Sequence, residues 1–463
     1  MKKRFLILSL VSLLLCACVP TPEKEYVVAP SGYEAAIAEK SEATVSSDEI
    51  QLPVHWNEVI PLNYWDINID AQIDPNAIGA TPVYESSYLT MDDIQEQANS
   101  VKRKLLKNAE KICTEGAMTK ADWYRQIQIF ADTLAWEDAT GGFTKRRSDE
   151  EVDSYRKSME PFIAEAPIEL EYRPFIPDSD PVPDDASYQL SDGSLAWMRC
   201  DSKSISILYG TDLFFNAIDQ AESQVLEGGA VLGEPVGTRI EGVPIDEKTA
   251  ENQALALLEE LSFQGYKIAK IEKARYINDD SRSNITVGYQ VIFCRAEGSY
   301  AAAYNTMENE LYYGGTRSEE ASYRPHWDQE QIYIFVDQTG IRSFFWTYPT
   351  AEPKLVNENV AILSYEEIQN VIRTHLKNCL SWFEANDCYR EWYAGRAKDL
   401  VDHIGLYYGI IPKRNDIDTF YYGPVWIVTI RCYPADADVP AFPYTMQAQY
   451  LHINAIDGSL INY

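Results

Sequence analysis

Two short stretches far apart in the chain begin in the same way, and together they set the folding unit. Leu89-Thr90-Met91-Asp92-Asp93-Ile94-Gln95 and Leu363-Ser364-Tyr365-Glu366-Glu367-Ile368-Gln369 match in character at seven consecutive positions. Each places a hydroxyl three residues before a carboxylate, Thr90 with Asp93 and Ser364 with Glu367. That spacing lets side chain and backbone cap each other at a helix start. Ile94, Ala98, Val101, Leu105, Ala109 and Ile112 then recur at helical spacing, as do Ile368, Val371, Ile372, His375 and Cys379. A further helix is expected over Asp246–Leu261, with Ala254, Leu257, Leu258 and Leu261 on one face and Gly265 as its stop.

Strand patterns follow the two later helices. After Leu261 come Tyr266–Ile277, Ile285–Arg295, Gln331–Val336 and Ile341–Trp346, the last two joined by Asp337-Gln338-Thr339-Gly340. After the Ser364 helix come Ile404–Ile411, Val425–Cys432, Tyr450–Ile456 and Ser459–Tyr463, the last two joined by Asp457-Gly458. Both joints carry the glycine that a tight hairpin needs at positive φ. Val425–Ile430 is largely apolar at odd and even positions alike, which suits a strand covered on both faces, or covered on one and part-covered on the other.

The expected fold is therefore α+β, with tandem helix-plus-antiparallel-sheet modules over 240–350 and 355–463. An N-terminal α+β domain is expected over 51–228. It contains an alternating stretch at Trp65–Ile73, the Thr90 helix, a charged helical stretch around Asp149–Phe162, and a hairpin at Tyr188–Met198 turning at Asp192-Gly193. It has room for a third, expanded copy of the module. Glu227–Gly237 reads as a linker.

The first residues predict export. Lys2, Lys3 and Arg4 precede the apolar run Phe5–Leu15, which is shorter than the roughly 20 residues needed to span a bilayer. Leu15-Cys16-Ala17-Cys18 resembles the bacterial lipobox, in which a small residue precedes the cysteine that takes a diacylglyceryl group. This predicts a signal peptide over 1–17, lipidation of Cys18 and anchoring at the outer face of a bacterial cell membrane. Two acyl chains hold where one would come off, because each buried methylene contributes about 0.8 kcal/mol. Residues 18–50, rich in Glu, Ala, Ser and Pro, read as a disordered tether.

The formal net charge of −31 argues against nucleic acid as a partner. Beyond Cys16 and Cys18 stand Cys113, Cys200, Cys294, Cys379, Cys388 and Cys432. An exported chain can form disulfides, and Cys379 with Cys388 is the first pair to consider. Buried free thiols are the alternative.

No catalytic pattern emerges. His55, His326, His375, His403 and His452 lack metal-site spacing, and His375 lies on the apolar stripe of its helix. Ser154-Tyr155-Arg156-Lys157 reads Ser-x-x-Lys without the elements that accompany it in penicillin-binding enzymes. Asp178, Asp180, Asp184 and Asp185 cluster in a Pro-rich loop without calcium-loop spacing. No metal or cofactor is expected. The segment Ala296–Glu330 holds Tyr300, Tyr304, Tyr312, Tyr313, Tyr323 and Trp327, an aromatic set able to form a binding surface or to pack over the sheet.

The endings Ile334-Phe335-Val336-Asp337-Gln338-Thr339-Gly340-Ile341 and Leu451-His452-Ile453-Asn454-Ala455-Ile456-Asp457-Gly458-Ser459-Leu460 resemble the end of a PepSY-type domain. The resemblance covers roughly Gly242–Tyr463. It extends to the YycH/YycI regulators of envelope sensor kinases and to lipoproteins of Clostridia-type bacteria. The chain departs from those regulators in carrying a lipobox rather than a transmembrane helix, and from a simple PepSY unit in its insert Ala296–Glu330. The resemblance implies a non-catalytic modulator of a protease or kinase, working through an envelope protein or peptide. Two other readings fit the sequence: a solute-binding lipoprotein that feeds a transporter, and a cell-wall hydrolase.

Overall fold

Helices form where the capping residues stand. In a computed structural model of the chain, Thr90 Oγ1 accepts from the Asp93 amide at 3.3 Å. At the second start Glu367 accepts from the Ser364 amide at 2.8 Å, and Ser364 Oγ accepts from the Glu367 amide at 3.4 Å. The structure describes residues 32–38, 55–63, 66–73, 81–114, 119–132, 134–137, 142–200, 204–209, 225–226, 230–231, 242–277, 285–296, 301–302, 329–385, 397–413, 416, 418–434 and 448–461.

In chain order the elements are α1 (Gly32–Ala38), β1 (His55–Pro61), β2 (Asp66–Ile73), β3 (Val83–Ser87), α2 (Met91–Leu105), β4 (Ala109–Cys113), α3 (Lys120–Asp132), β5 (Leu134–Glu137), β6 (Gly142–Arg146), α4 (Asp149–Glu165), β7 (Arg173–Pro174), β8 (Asp185–Leu190), β9 (Leu195–Cys200) and β10 (Ser204–Tyr209). There follow β11 (Val225–Leu226), β12 (Ala230–Val231), α5 (Glu247–Leu261), β13 (Tyr266–Ile277), β14 (Ile285–Arg295), β15 (Ala301–Ala302), β16 (Gln331–Asp337), β17 (Gly340–Thr347), β18 (Lys354–Asn357), α6 (Tyr365–Ala385), β19 (Ala397–Pro412), β20 (Thr419–Pro434) and β21 (Ala448–Asn454).

The fold is α+β, built on two large sheets. The larger runs β13-β14-β16-β17-β10-β9-β8-β4-β7, and all its pairings are antiparallel. It is two units side by side. Helix α5 leads into the meander β13, β14, β16, β17, and helix α2 leads into β4, β8, β9, β10. The units meet at their last strands, with Ile207 of β10 opposite Phe344 of β17. The second sheet runs β1-β2-β19-β20-β3-β18, with β15 and β21 pairing along β19 and β20. Helix α6 leads into β19, β20 and β21 in the same helix-then-meander order.

Four sequence expectations are corrected. Among the described residues of 51–228, only β5 and β6 form a sheet of their own, a two-stranded one. Strands β1, β2 and β3 join the sheet of the C-terminal module, while β4 and β7–β10 join that of the middle module. Edge strands expose unpaired amides and carbonyls, so a meander is completed by whichever strand covers its edge. Helix α2 stops at Leu105, and Ala109 and Ile112 lie on β4 instead. The residue that ends α5 is Ser262, at φ 68, while Gly265 at φ 76 opens the turn into β13. Of the expected strand Ser459–Tyr463, the described residues 459–461 contribute one bridge, Ile453 to Leu460, rather than a strand, and 462–463 lie outside the described residues.

Strand β20 is buried at every residue from Tyr422 to Ile430, as its two apolar alternations predict. The cores are joined through β14. Val291 and Phe293 pack with α5 in one cluster, whereas Ile292 and Cys294, on the opposite face of the strand, pack in the core of the other sheet.

Candidate binding site

Strands β13, β14 and β17 and the residue before β16 bring a charged pair, a phenol and an indole to one corner of the larger sheet. Arg295 is the last residue of β14 and lies opposite Tyr266, the first residue of β13. Glu330 immediately precedes β16. Trp346 comes from the end of β17, opposite Ile332. The run Val291-Ile292-Phe293-Cys294 carries Arg295 into the interior. Its side chain is 6% exposed and that of Glu330 is 0% exposed.

Glu330 accepts five hydrogen bonds. Oε1 takes Tyr266 Oη–H at 2.6 Å, Trp346 Nε1–H at 2.8 Å and the Thr350 amide at 3.1 Å. Oε2 takes Arg295 Nε–H at 2.9 Å and Thr350 Oγ1–H at 2.6 Å. A buried carboxylate loses several kcal/mol of hydration, which only a set this complete can offset. Thr350 Oγ1 also lies 3.4 Å from Tyr422 Oη of β20, which ties the corner to the other sheet. Burial opposes the charge on Arg295, but the Glu330 carboxylate together with Tyr266 and Tyr422 outweighs it and raises the guanidinium above its ordinary value. Burial, reinforced by Glu330, pushes the Tyr266 phenol well up. Arg295 therefore stays charged and Tyr266 stays protonated.

Above this pair lies a cavity of 320 Å³, within the range of small-ligand sites. Helix α2 contributes Ser100 and Val101, the end of α5 contributes Leu261–Gln264, and Tyr266, Arg295, Trp346 and Glu352 complete the lining. Phe263 meets Trp346 edge-on at 4.8 Å and Tyr266 edge-on at 5.4 Å. Lys104 donates to Ser262 Oγ at 2.9 Å, fixing the left-handed turn from which Phe263 enters. Arg295 and Glu330 also stand at the two ends of the aromatic insert, so the insert leaves and rejoins the fold at this cavity.

Tyr300, Tyr304, Tyr312, Tyr313, Tyr323, Trp327, His326, Cys388 and Cys18 lie outside the described residues. Of the insert, Ala301 and Ala302 pair in parallel with Tyr407 and Tyr408 of β19. The other histidines sit apart. His55 pairs with Asp70 at 2.7 Å, and His403 with Tyr407 Oη at 2.8 Å. His375, buried on α6, bonds the Gly458 carbonyl at 2.9 Å, and His452 is buried in β21. Among the described residues no three or more His, Cys, Asp and Glu side chains group as metal ligands. Three carboxylates of the acidic loop are engaged in bonds to the protein itself. Asp180 accepts from the Ile176 amide, Asp184 pairs with the buried Lys102 at 2.7 Å, and Asp185 accepts from Trp197 Nε1. Cys379 is a free thiol in the core, while its expected partner Cys388 lies outside the described residues. A buried apolar stripe of α6 holds it.

Sequence reading passed over Arg295, Glu330, Tyr266 and Trp346. The available signal was a lone arginine closing an apolar strand, since arginine is rarely buried unless paired. Its partner lay 35 residues away and could not be read from spacing.

No protein-family model matches the chain, and no curated protein matches it. Among solved structures the chain is similar to the crystal structure of an uncharacterized protein from Eubacterium rectale. The match has 12% sequence identity and a TM-score of 0.41, and covers 93% of this chain and 97% of that chain.

Proposed function

We propose that this protein is a lipid-anchored, extracytoplasmic binding protein, held through Cys18 at the outer face of the bacterial membrane, that engages an envelope protein or peptide without catalysing a reaction. The observation that carries the binding reading is the corner at Arg295 and Glu330. There an open-sided cavity, a rigid charged floor and both ends of a tyrosine-rich segment coincide. Arg295, Glu330 and Tyr266 are engaged in structural bonds with one another, which suits recognition better than proton transfer. The leader Met1–Cys18 supports the anchoring. The recurrent helix-then-meander units are in keeping with the PepSY-type resemblance, and regulation of a protease or sensor kinase is the role that resemblance suggests. Arg295, Tyr266, Phe263 and Trp346 form the floor and walls of the site, and Tyr300, Tyr304, Tyr312, Tyr313, Tyr323 and Trp327 are proposed to extend it.

Two measurements test this. Cells fed radiolabelled palmitate should label the wild-type chain and leave Cys18→Ser unlabelled. Mild crosslinking in the same cells should capture one recurrent envelope partner. An unlabelled wild-type chain removes the anchor, and repeated crosslinking that captures nothing removes the binding role.

A further inference from the structure

We propose that the cavity above Arg295 binds a carboxylate carried next to an apolar side chain, with the ligand's carboxylate taking the place that Glu352 holds beside the guanidinium. This rests on the binding role proposed above and names its ligand chemistry.

The donors of Arg295 are unequally used. Nε bonds Glu330 at 2.9 Å and Nη2 bonds Tyr266 Oη at 3.2 Å. Nη1 pairs with Glu352, whose Oε2 stands 3.6 Å away, beyond hydrogen-bond distance. That carboxylate side chain is 86% exposed, against 6% for Arg295. A loose ion pair with a solvated partner is worth about 0–1 kcal/mol, so Glu352 yields its place easily. The guanidinium itself does not yield. Glu330 fixes it from below, and its Cζ lies 4.8 Å from the centre of the Tyr266 ring. A donor held still before binding loses little freedom when a ligand arrives.

Charge selects a monoanion. Arg295 and Glu330 cancel, and a ligand carboxylate that turns the exposed Glu352 side chain out toward solvent adds a single negative charge. A dianion such as phosphate adds more negative charge close to buried Glu330, in a chain of net charge −31. Val101, Phe263 and Trp346 supply the apolar part of a lining that also holds Ser100, Ser262 and Gln264, and they offer contact to the side chain next to the carboxylate. A peptide C-terminus and a free N-acylated amino acid share this chemistry.

The test uses the full chain labelled with 15N-tryptophan, its Trp346 indole resonance assigned through Trp346→Phe. That indole N–H binds Glu330 and lies in the cavity wall. The probes are N-acetylphenylalanine, the peptide Gly-Ser-Gly-Ala-Phe, and the C-terminal amide of each. Both acids should shift the Trp346 resonance saturably and both amides should not. The tighter acid identifies the source, and either ranking supports the proposal. Glu352→Gln, a change at an exposed side chain, should tighten both acids about threefold by removing the internal competitor. Arg295→Lys, which keeps the buried charge, should weaken them about tenfold by losing the planar fork. The proposal is overturned if the amides bind as well as the acids, if Glu352→Gln leaves acid binding unchanged or weaker, or if no acid shifts the resonance by about 20 mM. Those results leave the partner captured by crosslinking untouched, so failure of the ligand chemistry and failure of the binding role are distinguishable.

Discussion

Arg295 and Glu330 hold each other across the base of the aromatic insert, Nε to Oε2 at 2.9 Å, with side chains 6% and 0% exposed. One is the last residue of β14 and the other directly precedes β16. The pair therefore closes the ring of chain that contains the insert, and four further hydrogen bonds complete the shell of Glu330.

Removing one partner of such a pair leaves a buried group without its complement. Arg295→Met should lower unfolding stability by about 3–5 kcal/mol in urea titration. Adding Glu330→Gln should recover part of that loss, because an amide without a partner is less costly to bury than a carboxylate. A double variant no more stable than Arg295→Met alone would contradict this.

Acid should weaken the fold through two histidines. Burial lowers the pKa of His452 to about 3, and burial also lowers that of His375, against a partial rise from its bond to Gly458. Unfolded histidine titrates near about 6.5. Below that value the unfolded chain takes up protons that the folded chain refuses, so stability is complete above about pH 6.5 and falls as pH drops. The slope is up to about 1.4 kcal/mol per pH unit for each histidine. Melting temperatures between pH 5 and 6.5 should show it, and His452→Gln should flatten the curve. A wild-type curve that is level over that range contradicts the burial of both rings.

Gly288 lies where β14 passes β16 with no room for a methyl group. A Cβ there would stand 2.2 Å from the Val336 carbonyl oxygen and 2.9 Å from the Phe335 ring. Gly288→Ala should lower stability by about 1–3 kcal/mol or more, since backbone must move. Gly193→Ala meets open space and faces only its φ of +84°, which costs about 1 kcal/mol. Calorimetry on the two variants should rank them in that order.

Burial pushes the Cys379 thiol up to about 12. Ellman's reagent at pH 8 should leave it untouched in the folded protein and titrate it after denaturation. Recovery of a peptide linking Cys379 to Cys388 by non-reducing mass spectrometry would contradict the buried free thiol.

Much of the local structure was legible in the chain. Thr90, Asp246 and Ser364 all start helices as read, and strands at Tyr266–Ile277 and Ile285–Arg295 have the expected bounds. The glycines of Asp192-Gly193 and Asp457-Gly458 take the positive φ that their turns need. One signal of the same kind was overlooked: Ser148 and Glu151 form a capping box at the start of α4. These features depend on contacts within a few residues, so a short window of sequence holds all the information.

What the chain alone determined, then, was where helices start, where strands turn, and which strand is covered on both faces. Only the tertiary structure decided which strands become neighbours. Ile69 of β2 lies beside Val401 of β19, and Ser206 of β10 beside Phe345 of β17. It also decided that Arg295 meets Glu330, and that Glu58 of β1 receives the Arg373 side chain of α6 at 2.8 Å. Any apolar strand can in principle complete any open edge, and any buried cation needs some anion. The choice among them follows from covering all edges and pairing all buried charges at once, a condition on the whole molecule that no single segment encodes.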